Sequence, residues 1–372
     1  MAKTRIDVTT PEAAAMRAEI YRRAYVREGT FVALPTCFPG VTTPIVADEG
    51  RITALDIAPD GTIYGGTSGH AAHIFAGLFT APQGAIFDLG AVDGADECVA
   101  VCCGQKKFAA CVNGPGGGRA IARDLQELRQ DLIQEWGFIR QPFQDLGPVA
   151  GGERIVHAVA DKSRRLMVGA TTGHLFTVDL DNPSGIEVID SLPGPPRLPA
   201  GAGRLAVSPQ GDILGLDEDD HLWRFDPSAR KLHRKAVKLP KGNWGRQPLV
   251  WARSPRDGWL FLADGDGRLF ASGEGAGIGS QLALAPLAPV TAMACAPDGR
   301  VFGFCGREMS RMFCVVPATG EIRDLGVAVS VIQTRRYGYQ FADALTGPDG
   351  QLFFAENDDG GHLWMYFPKG LA

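Results

Sequence analysis

The segment Thr171-Thr172-Gly173-His174-Leu175-Phe176 decides the architecture, because copies of it recur along the chain. Three close copies keep the order of turn residues, a basic residue, leucine and an aromatic residue: Asp219-Asp220-His221-Leu222-Trp223, Asp266-Gly267-Arg268-Leu269-Phe270 and Gly360-Gly361-His362-Leu363-Trp364. Looser copies are His73-Ile74-Phe75, Arg119-Ala120-Ile121 and Arg311-Met312-Phe313. Each copy follows one short apolar run and begins another, which indicates a repeated β-strand unit. We call the seven basic positions the basic ring: His73, Arg119, His174, His221, Arg268, Arg311 and His362.

Short turns, most of them of the Pro-Asp-Gly type, give the repeat its period. They lie at 59–61, 104–105, 162–163, 209–211, 255–258, 297–299 and 348–350. Such turns between two alternating apolar runs indicate β-hairpins. Most successive turns are roughly forty to fifty residues apart, which is the length of a four-stranded propeller blade.

The sequence therefore predicts an all-β fold, a seven-bladed β-propeller of four-stranded blades over residues 30–372. The seventh repeat ends after its third strand, and the strand predicted at 30–35 would complete it and remove the free sheet edges. Residues 1–29 are expected to form a helical extension, with one helix over 11–27. A helical insertion is expected over 123–136 in the second blade. Six blades, eight blades or a pair of β-sandwiches are the alternatives, but a sandwich gives no reason for one motif to recur seven times.

The composition of the chain indicates which kinds of ligand it could bind. The formal net charge of −5 argues against nucleic acid or an acidic membrane surface as the partner, and leaves room for a local basic site that binds an acidic small molecule. No apolar segment near the N-terminus resembles a signal peptide, so the chain as written is expected to be cytoplasmic, or secreted or periplasmic if a signal was removed. Most of the eight cysteines lie in apolar runs and match no zinc spacing, so they are expected to be buried thiols.

One face of the predicted propeller collects the residues that could carry chemistry. The turns between second and third strands and the connections between blades emerge together; we call this side the BC face and the opposite side the AB face. The BC face receives the basic ring and His70, Trp244, Arg246, Arg335, Tyr337, Tyr339 and Glu356. In the ring, the basic residue and the aromatic residue two places later point to the same side of a strand, so packing between blades competes with ligand binding as an interpretation.

A metal site is a further possibility on this face. Histidines from different blades can converge, and a divalent metal ion held by His70, His362 and Glu356 is one hypothesis for the cofactor. The acidic turns Asp217–Asp220 and Asp264–Asp266 read as solvated turns or as calcium ligands, without the EF-hand spacing.

Gly347-Pro-Asp-Gly-Gln-Leu-Phe-Phe-Ala-Glu356 resembles the repeat of the streptogramin lyases, which are seven-bladed propellers. The combination of His, Arg and Tyr on one face is also similar to the propeller-type polysaccharide lyases that act on uronic-acid glycans. These resemblances imply β-elimination. A cation neutralises the carboxylate, a base removes the neighbouring proton, and an acid protonates the leaving oxygen.

The residue types on the BC face suggest which side chain performs each step of the elimination. Arg246, Arg311 and Arg335 are candidate carboxylate clamps, His174 or His221 the base, and Tyr339 or Tyr337 the acid. Trp244 could stack on a sugar ring, while His73 and Arg268 are further substrate contacts. The expected substrate is an acidic oligo- or polysaccharide. The alternatives are a non-catalytic binding or scaffold propeller and a metal-dependent hydrolase or isomerase.

Overall fold

A computed structural model of the chain describes most of the residues. They are 10–11, 14–15, 24–36, 45–80, 83–125, 142–192, 204–218, 220–245, 249–272, 277–331 and 336–370. Within these ranges the strands form seven four-stranded antiparallel sheets and one two-stranded sheet. The predicted seven-bladed propeller is therefore confirmed.

Each blade begins with the strand nearest the axis and proceeds outward. Blade 1 contains β2 (Arg51–Ile57), β3 (Ile63–Ser68), β4 (His73–Thr80) and β5 (Gln83–Ala91). Blade 2 contains β6 (Glu97–Cys103), β7 (Lys107–Gly114), β8 (Gly117–Asp124) and β9 (Gln144–Pro148). Blade 3 contains β10 (Ile155–Ala160), β11 (Leu166–Thr171), β12 (His174–Asp179) and β13 (Glu187–Ser191). Blade 4 contains β14 (Ala206–Val207), β15 (Ile213–Leu216), β16 (His221–Asp226) and β17 (Lys231–Lys238).

The remaining blades follow the same order, except that the last takes one strand from the other end of the chain. Blade 5 contains β18 (Val250–Arg253), β19 (Leu260–Ala263), β20 (Arg268–Ser272) and β21 (Ile278–Leu284). Blade 6 contains β22 (Val290–Cys295), β23 (Val301–Cys305), β24 (Arg311–Val316) and β25 (Glu321–Gly326). Blade 7 contains β28 (Phe341–Thr346), β29 (Leu352–Glu356), β30 (His362–Phe367) and, outermost, β1 (Thr30–Pro35). Between blades 6 and 7, β26 (Ala328–Val329) pairs with β27 (Tyr337–Gly338).

The two helical predictions fall mainly outside the described residues. The expected helix over 11–27 must end before Tyr25, because Tyr25 forms a parallel bridge with Val327 and the amide of Val26 bonds to Val327 O. The expected insertion begins too early at Arg123, which belongs to β8; residues 126–141 lie outside the described part. Among the described residues, 11, 14, 15, 24 and 125 are helical, Ala14 N donates to Thr10 O, and short 3-10 turns lie at Ala47–Glu49 and Ala150–Gly152.

A glycine under an aromatic ring recurs in the blades. Gly65, Gly169, Gly215 and Gly303 of the second strands lie directly opposite Phe75, Phe176, Trp223 and Phe313 of the third strands. A Cβ on Gly169 would stand 2.2 Å from the Phe176 ring, so only glycine leaves room for that ring. The aromatic residue of the repeated motif is thus a core residue that packs over its neighbouring strand.

Candidate functional site

The basic ring lies on the BC face but away from the axis. Its members stand at or near the first residue of each third strand, so two strands of every blade separate them from the axial opening. The ring therefore encircles the outer half of the face.

Three members of the ring pair with the acid of an Asp-Leu-Gly sequence in the fourth strand of their own blade. His73 Nδ1 lies 3.0 Å from Asp88 Oδ1, Arg119 Nη1 lies 3.0 Å from Asp145 Oδ2, and Arg311 Nε lies 2.9 Å from Asp324 Oδ2. In each sequence the glycine has a positive φ, and its amide donates to the same aspartate. The left-handed glycine turns its N–H back onto the carboxylate, which then accepts from the basic residue as well. These contacts hold the outer strand in register.

The other members of the ring have their own neighbours. Arg268 Nη2 donates to Asp266 at 2.9 Å. His362 Nδ1 lies 3.1 Å from Glu356 Oε2, although the ring orientation does not suit a hydrogen bond. His221 is half-buried and stands opposite Lys238 in the blade 4 sheet.

His174 pairs with a carboxylate through one ring nitrogen. Its Nδ1 lies 3.1 Å from Glu153 Oε2, while Nε2 has no hydrogen-bond partner in the described part of the chain. The two side chains are 32% and 27% exposed. Thr171 Oγ1 also donates to Glu153. Burial alone would raise the pKa of Glu153, but the hydrogen bonds from Thr171 and His174 outweigh burial and lower it. A carboxylate therefore holds Nδ1 of the imidazole, while Nε2 has no partner among the described residues.

Glu356 and His362 belong to a buried polar cluster in blade 7. Glu356 Oε2 accepts from Arg336 Nη2 at 3.1 Å, and Asp358 lies 3.6 Å from the same nitrogen. Burial and the charge of Glu356 raise the pKa of Asp358. Glu356 is fully buried, so this carboxylate is out of reach of a substrate.

The structure does not gather the expected metal ligands. Exposed His70 lies 3.2 Å from Asp48, in a different blade from Glu356 and His362. Over the described residues, no group of three or more His, Cys, Asp or Glu side chains is arranged to hold a metal ion.

The aromatic candidates differ in how accessible they are. Tyr339 is 41% exposed, whereas Tyr337 is half-buried and its ring centre lies 5.6 Å from that of Tyr25. Trp244 packs against Phe270 and donates from Nε1 to Pro240 O. The predicted clamps Arg246 and Arg335 lie outside the described residues.

A charged cavity that the repeated motif does not indicate runs along the axis. It has a volume of about 310 Å³ and is lined by the innermost strands. Its ionic and ring side chains are Asp56, Asp161, His157, Lys162, Arg164, Arg204, Trp251, Arg253 and Asp343.

Two ion pairs cross between blades in this cavity. Arg204 Nη1 lies 3.0 Å from Asp343 Oδ1. Arg164 Nη1 and Nη2 lie 3.0 and 3.3 Å from the two oxygens of Asp56, and Nη1 also donates to Cys103 O. Burial and the charge of Arg204 lower the pKa of His157 to about 3, so that ring is neutral at ordinary pH. Its Nδ1 accepts from the amide of Leu205, so His157 is not available as a base.

One sequence signal could have revealed this cavity. Innermost strands of a propeller are mostly apolar, yet four of them place a charged or imidazole side chain in this cavity: Asp56, His157, Arg253 and Asp343. Such residues in the innermost strands point to a polar axis more directly than the motif of the third strands does.

Comparison with known proteins supports the architecture. No protein-family model matches the chain, and no curated protein matches it. Among solved structures, a streptogramin B lyase is similar with a TM-score of 0.62 and 11% identity over 91% of this chain and 98% of that chain. A catalytically inactive His-to-Ala variant of virginiamycin B lyase from Staphylococcus aureus with quinupristin gives 0.57 and 9% over 91% and 99%. A chain of a mitotic checkpoint complex gives 0.60 and 14% over 99% and 96%. At these identities the likeness concerns the fold.

Within the described residues, no helix is long and apolar enough to cross a membrane.

Proposed function

We propose that the protein is a carbon–oxygen lyase that cleaves an acidic, uronic-acid-containing oligo- or polysaccharide by β-elimination, with His174 as the base. The observation that carries the proposal is the contact between His174 Nδ1 and Glu153 Oε2. With its proton on Nδ1, the imidazole presents a lone pair at Nε2, and the carboxylate stabilises the imidazolium that forms when a proton is taken up. The similarity to structures of streptogramin B and virginiamycin B lyases supports a lyase on this fold.

In the reaction, His174 Nε2 takes the proton from the carbon beside the uronate carboxylate. The electrons of the broken C–H bond form the new C=C bond, and the bond to the glycosidic oxygen breaks. In this proposal water protonates the leaving oxygen, because Tyr339 and Tyr337 lie between blades 6 and 7, around the ring from His174 in blade 3. Arg246, in the connection between blades 4 and 5, is the proposed clamp for the carboxylate, and Arg335 shares the remote position of the tyrosines. Arg311 is a weaker candidate because it already pairs with Asp324.

The test is a panel of acidic glycans, with cleavage followed by the ultraviolet absorbance of the unsaturated product. We expect His174→Ala to lower kcat by about 10²–10⁴-fold, the usual contribution of a positioned base. Glu153→Gln should lower kcat less, because the amide can still contact the imidazole but no longer carries a negative charge. His233→Ala, in the outer strand of blade 4, is the matched control and should keep full activity. Full activity of His174→Ala would remove His174 as the base.

A second candidate function is a non-catalytic binding propeller. The ion pairs of the basic ring favour it, since they neutralise much of the charge that the BC face would use on an anionic substrate. If the wild-type protein cleaves none of the acidic glycans, the lyase proposal fails and the binding role takes its place.

A further inference from the structure

The axial cavity opens on the AB face into a second cavity of about 690 Å³, which we call the AB mouth. Four cationic and two acidic side chains line it: Lys162, Arg164, Arg253, Arg256, Asp56 and Asp257. The AB mouth thus carries an excess of positive charge in a chain whose net charge is −5. It lies on the opposite side of the propeller from His174.

Most of these charged side chains already contact an opposite charge or a backbone group. Asp56 holds Arg164 through both carboxylate oxygens. Asp257 lies 3.3 Å from Arg256 and accepts the amide of Trp259. Lys162 donates to Pro209 O. The nearby acid Asp161, which lines the axial cavity, is occupied by the amides of Ser163, Arg165 and Leu166 in its own turn.

Arg253 is the exception. It ends the innermost strand of blade 5, its side chain is exposed, and it has no hydrogen bond or ion pair with any described residue. Arg253 and Arg164 both line the mouth, and partial burial there together with the charge of Arg164 lowers the pKa of Arg253. Two guanidiniums in one cavity repel each other, and an anion between them would offset that repulsion.

We propose that the AB mouth is a binding site for a tetrahedral oxyanion, a phosphate or sulfate group, held between Arg253 and Arg164 with Lys162 at its edge. A guanidinium presents parallel N–H groups that match two oxygens of such an anion. A dianion would also neutralise the excess charge of the mouth. The same chemistry is offered by the free ion and by a phosphate or sulfate ester, and the cavity is large enough for a small ester.

Isothermal titration of the full chain with inorganic phosphate, at low ionic strength, tests the site. One phosphate should bind per chain, and binding should weaken as salt is added. We expect Arg253→Ala to weaken phosphate binding tenfold or more, and Arg253→Lys to weaken it less because the charge remains. Arg253 has no partner in the described fold, so its removal should leave folding intact.

Arg165→Ala is the matched control. Arg165 belongs to the turn that follows β10, pairs with Asp181 and does not line either cavity, so this variant removes an equal charge. It should bind phosphate as the wild type does. Equal weakening by Arg165→Ala and Arg253→Ala would overturn the site in favour of a general charge effect. A wild-type protein that binds neither phosphate nor sulfate would also overturn it.

Further titrations identify the source and separate this site from the lyase proposal. Tighter binding of a sugar phosphate or sulfated monosaccharide than of the free ion indicates an ester, and the reverse indicates the ion itself. Binding of succinate but not of phosphate or sulfate would overturn the tetrahedral assignment. His174→Ala should keep phosphate binding. Failure of glycan cleavage with intact phosphate binding therefore rejects only the lyase.

Discussion

At the scale of single residues, a basic side chain of the repeated motif is a structural partner before it is a ligand. His73 shows this most clearly, because both ring nitrogens face carboxylates: Nδ1 lies 3.0 Å from Asp88 and Nε2 lies 3.0 Å from Glu49. Burial alone would lower the pKa of His73, but the hydrogen bonds and charges of Asp88 and Glu49 outweigh burial and raise the pKa above its ordinary value of 6.5. Folding therefore favours the protonated ring.

This histidine should make stability depend on pH. A histidine whose pKa is raised on folding stabilises the native state fully below pH 6.5, and that stabilisation is lost as the pH rises through the folded-state pKa. We expect His73→Gln to lower the free energy of unfolding, measured by urea denaturation, by about 1.5–3 kcal/mol at about pH 6. At about pH 8 the loss should be smaller. His70→Gln, an exposed histidine in the same blade, should leave the pH dependence of the wild type unchanged. An equal loss at both pH values would contradict the protonated pair.

The sequence predicts which residues form the ring but not what they bind. Asp88 lies fifteen residues after His73, and Glu49 lies in the connection before the blade. Only the antiparallel pairing of β4 with β5 brings His73 and Asp88 together. The predicted roles of His221, Arg268, Tyr337 and Trp244 on a substrate stay predictions.

At the scale of elements, the pairing of a glycine with an aromatic ring sets how closely two strands of a blade can pack. Phe176 is fully buried, and the far edge of its ring lies against Gly169. The motif predicts an aromatic residue on the third strand, but the glycine beneath it lies in the preceding strand, and only their register makes them partners. The sequence therefore predicts the number of blades but not which residues pack together within each blade.

Substituting this glycine should strain the blade. We expect Gly169→Ala to destabilise the fold by about 1–3 kcal/mol, the usual effect of overpacking a core, because its Cβ would meet the Phe176 ring at 2.2 Å. Gly169→Ala with Phe176→Leu should recover part of that loss, since the smaller side chain makes room. Gly116→Ala, in a turn with no atom near the added Cβ, is the control. Urea denaturation measures all three, and a Gly169→Ala protein as stable as the control would contradict this packing.

At the scale of the whole molecule, contacts far apart in sequence close the ring and brace its centre. β1 pairs with β30 across the full length of the chain. In the axial cavity, Asp343 of blade 7 accepts from Arg204, which precedes blade 4, and from the amide of Leu55 in blade 1. One carboxylate thus joins three blades. The strand at 30–35 can be predicted from the sequence. The contacts of Asp343 cannot, because its partners are 139 and 288 residues away.

The pair of Arg204 and Asp343 should therefore contribute more to stability than a surface pair does. The two side chains are only 16% and 19% exposed, and burial already raises the pKa of Asp343 despite Arg204. We expect Arg204→Met to destabilise the fold by about 3–5 kcal/mol at neutral pH, because it leaves a buried carboxylate without its cation. The loss should shrink in acid, where Asp343 becomes protonated. A double-mutant cycle with Asp343→Asn, read by urea denaturation, isolates the coupling between the two residues.

The same cycle on Arg165 and Asp181, an exposed pair 2.7 Å apart, gives the reference. Exposed pairs couple by about 0.2–1 kcal/mol. If the axial pair coupled no more strongly than this, Arg204 and Asp343 would stabilise the fold no more than a surface pair does. A larger coupling would mean that the polar axis contributes to ring closure, independently of any anion bound at the AB mouth, since neither Arg204 nor Asp343 lines that mouth.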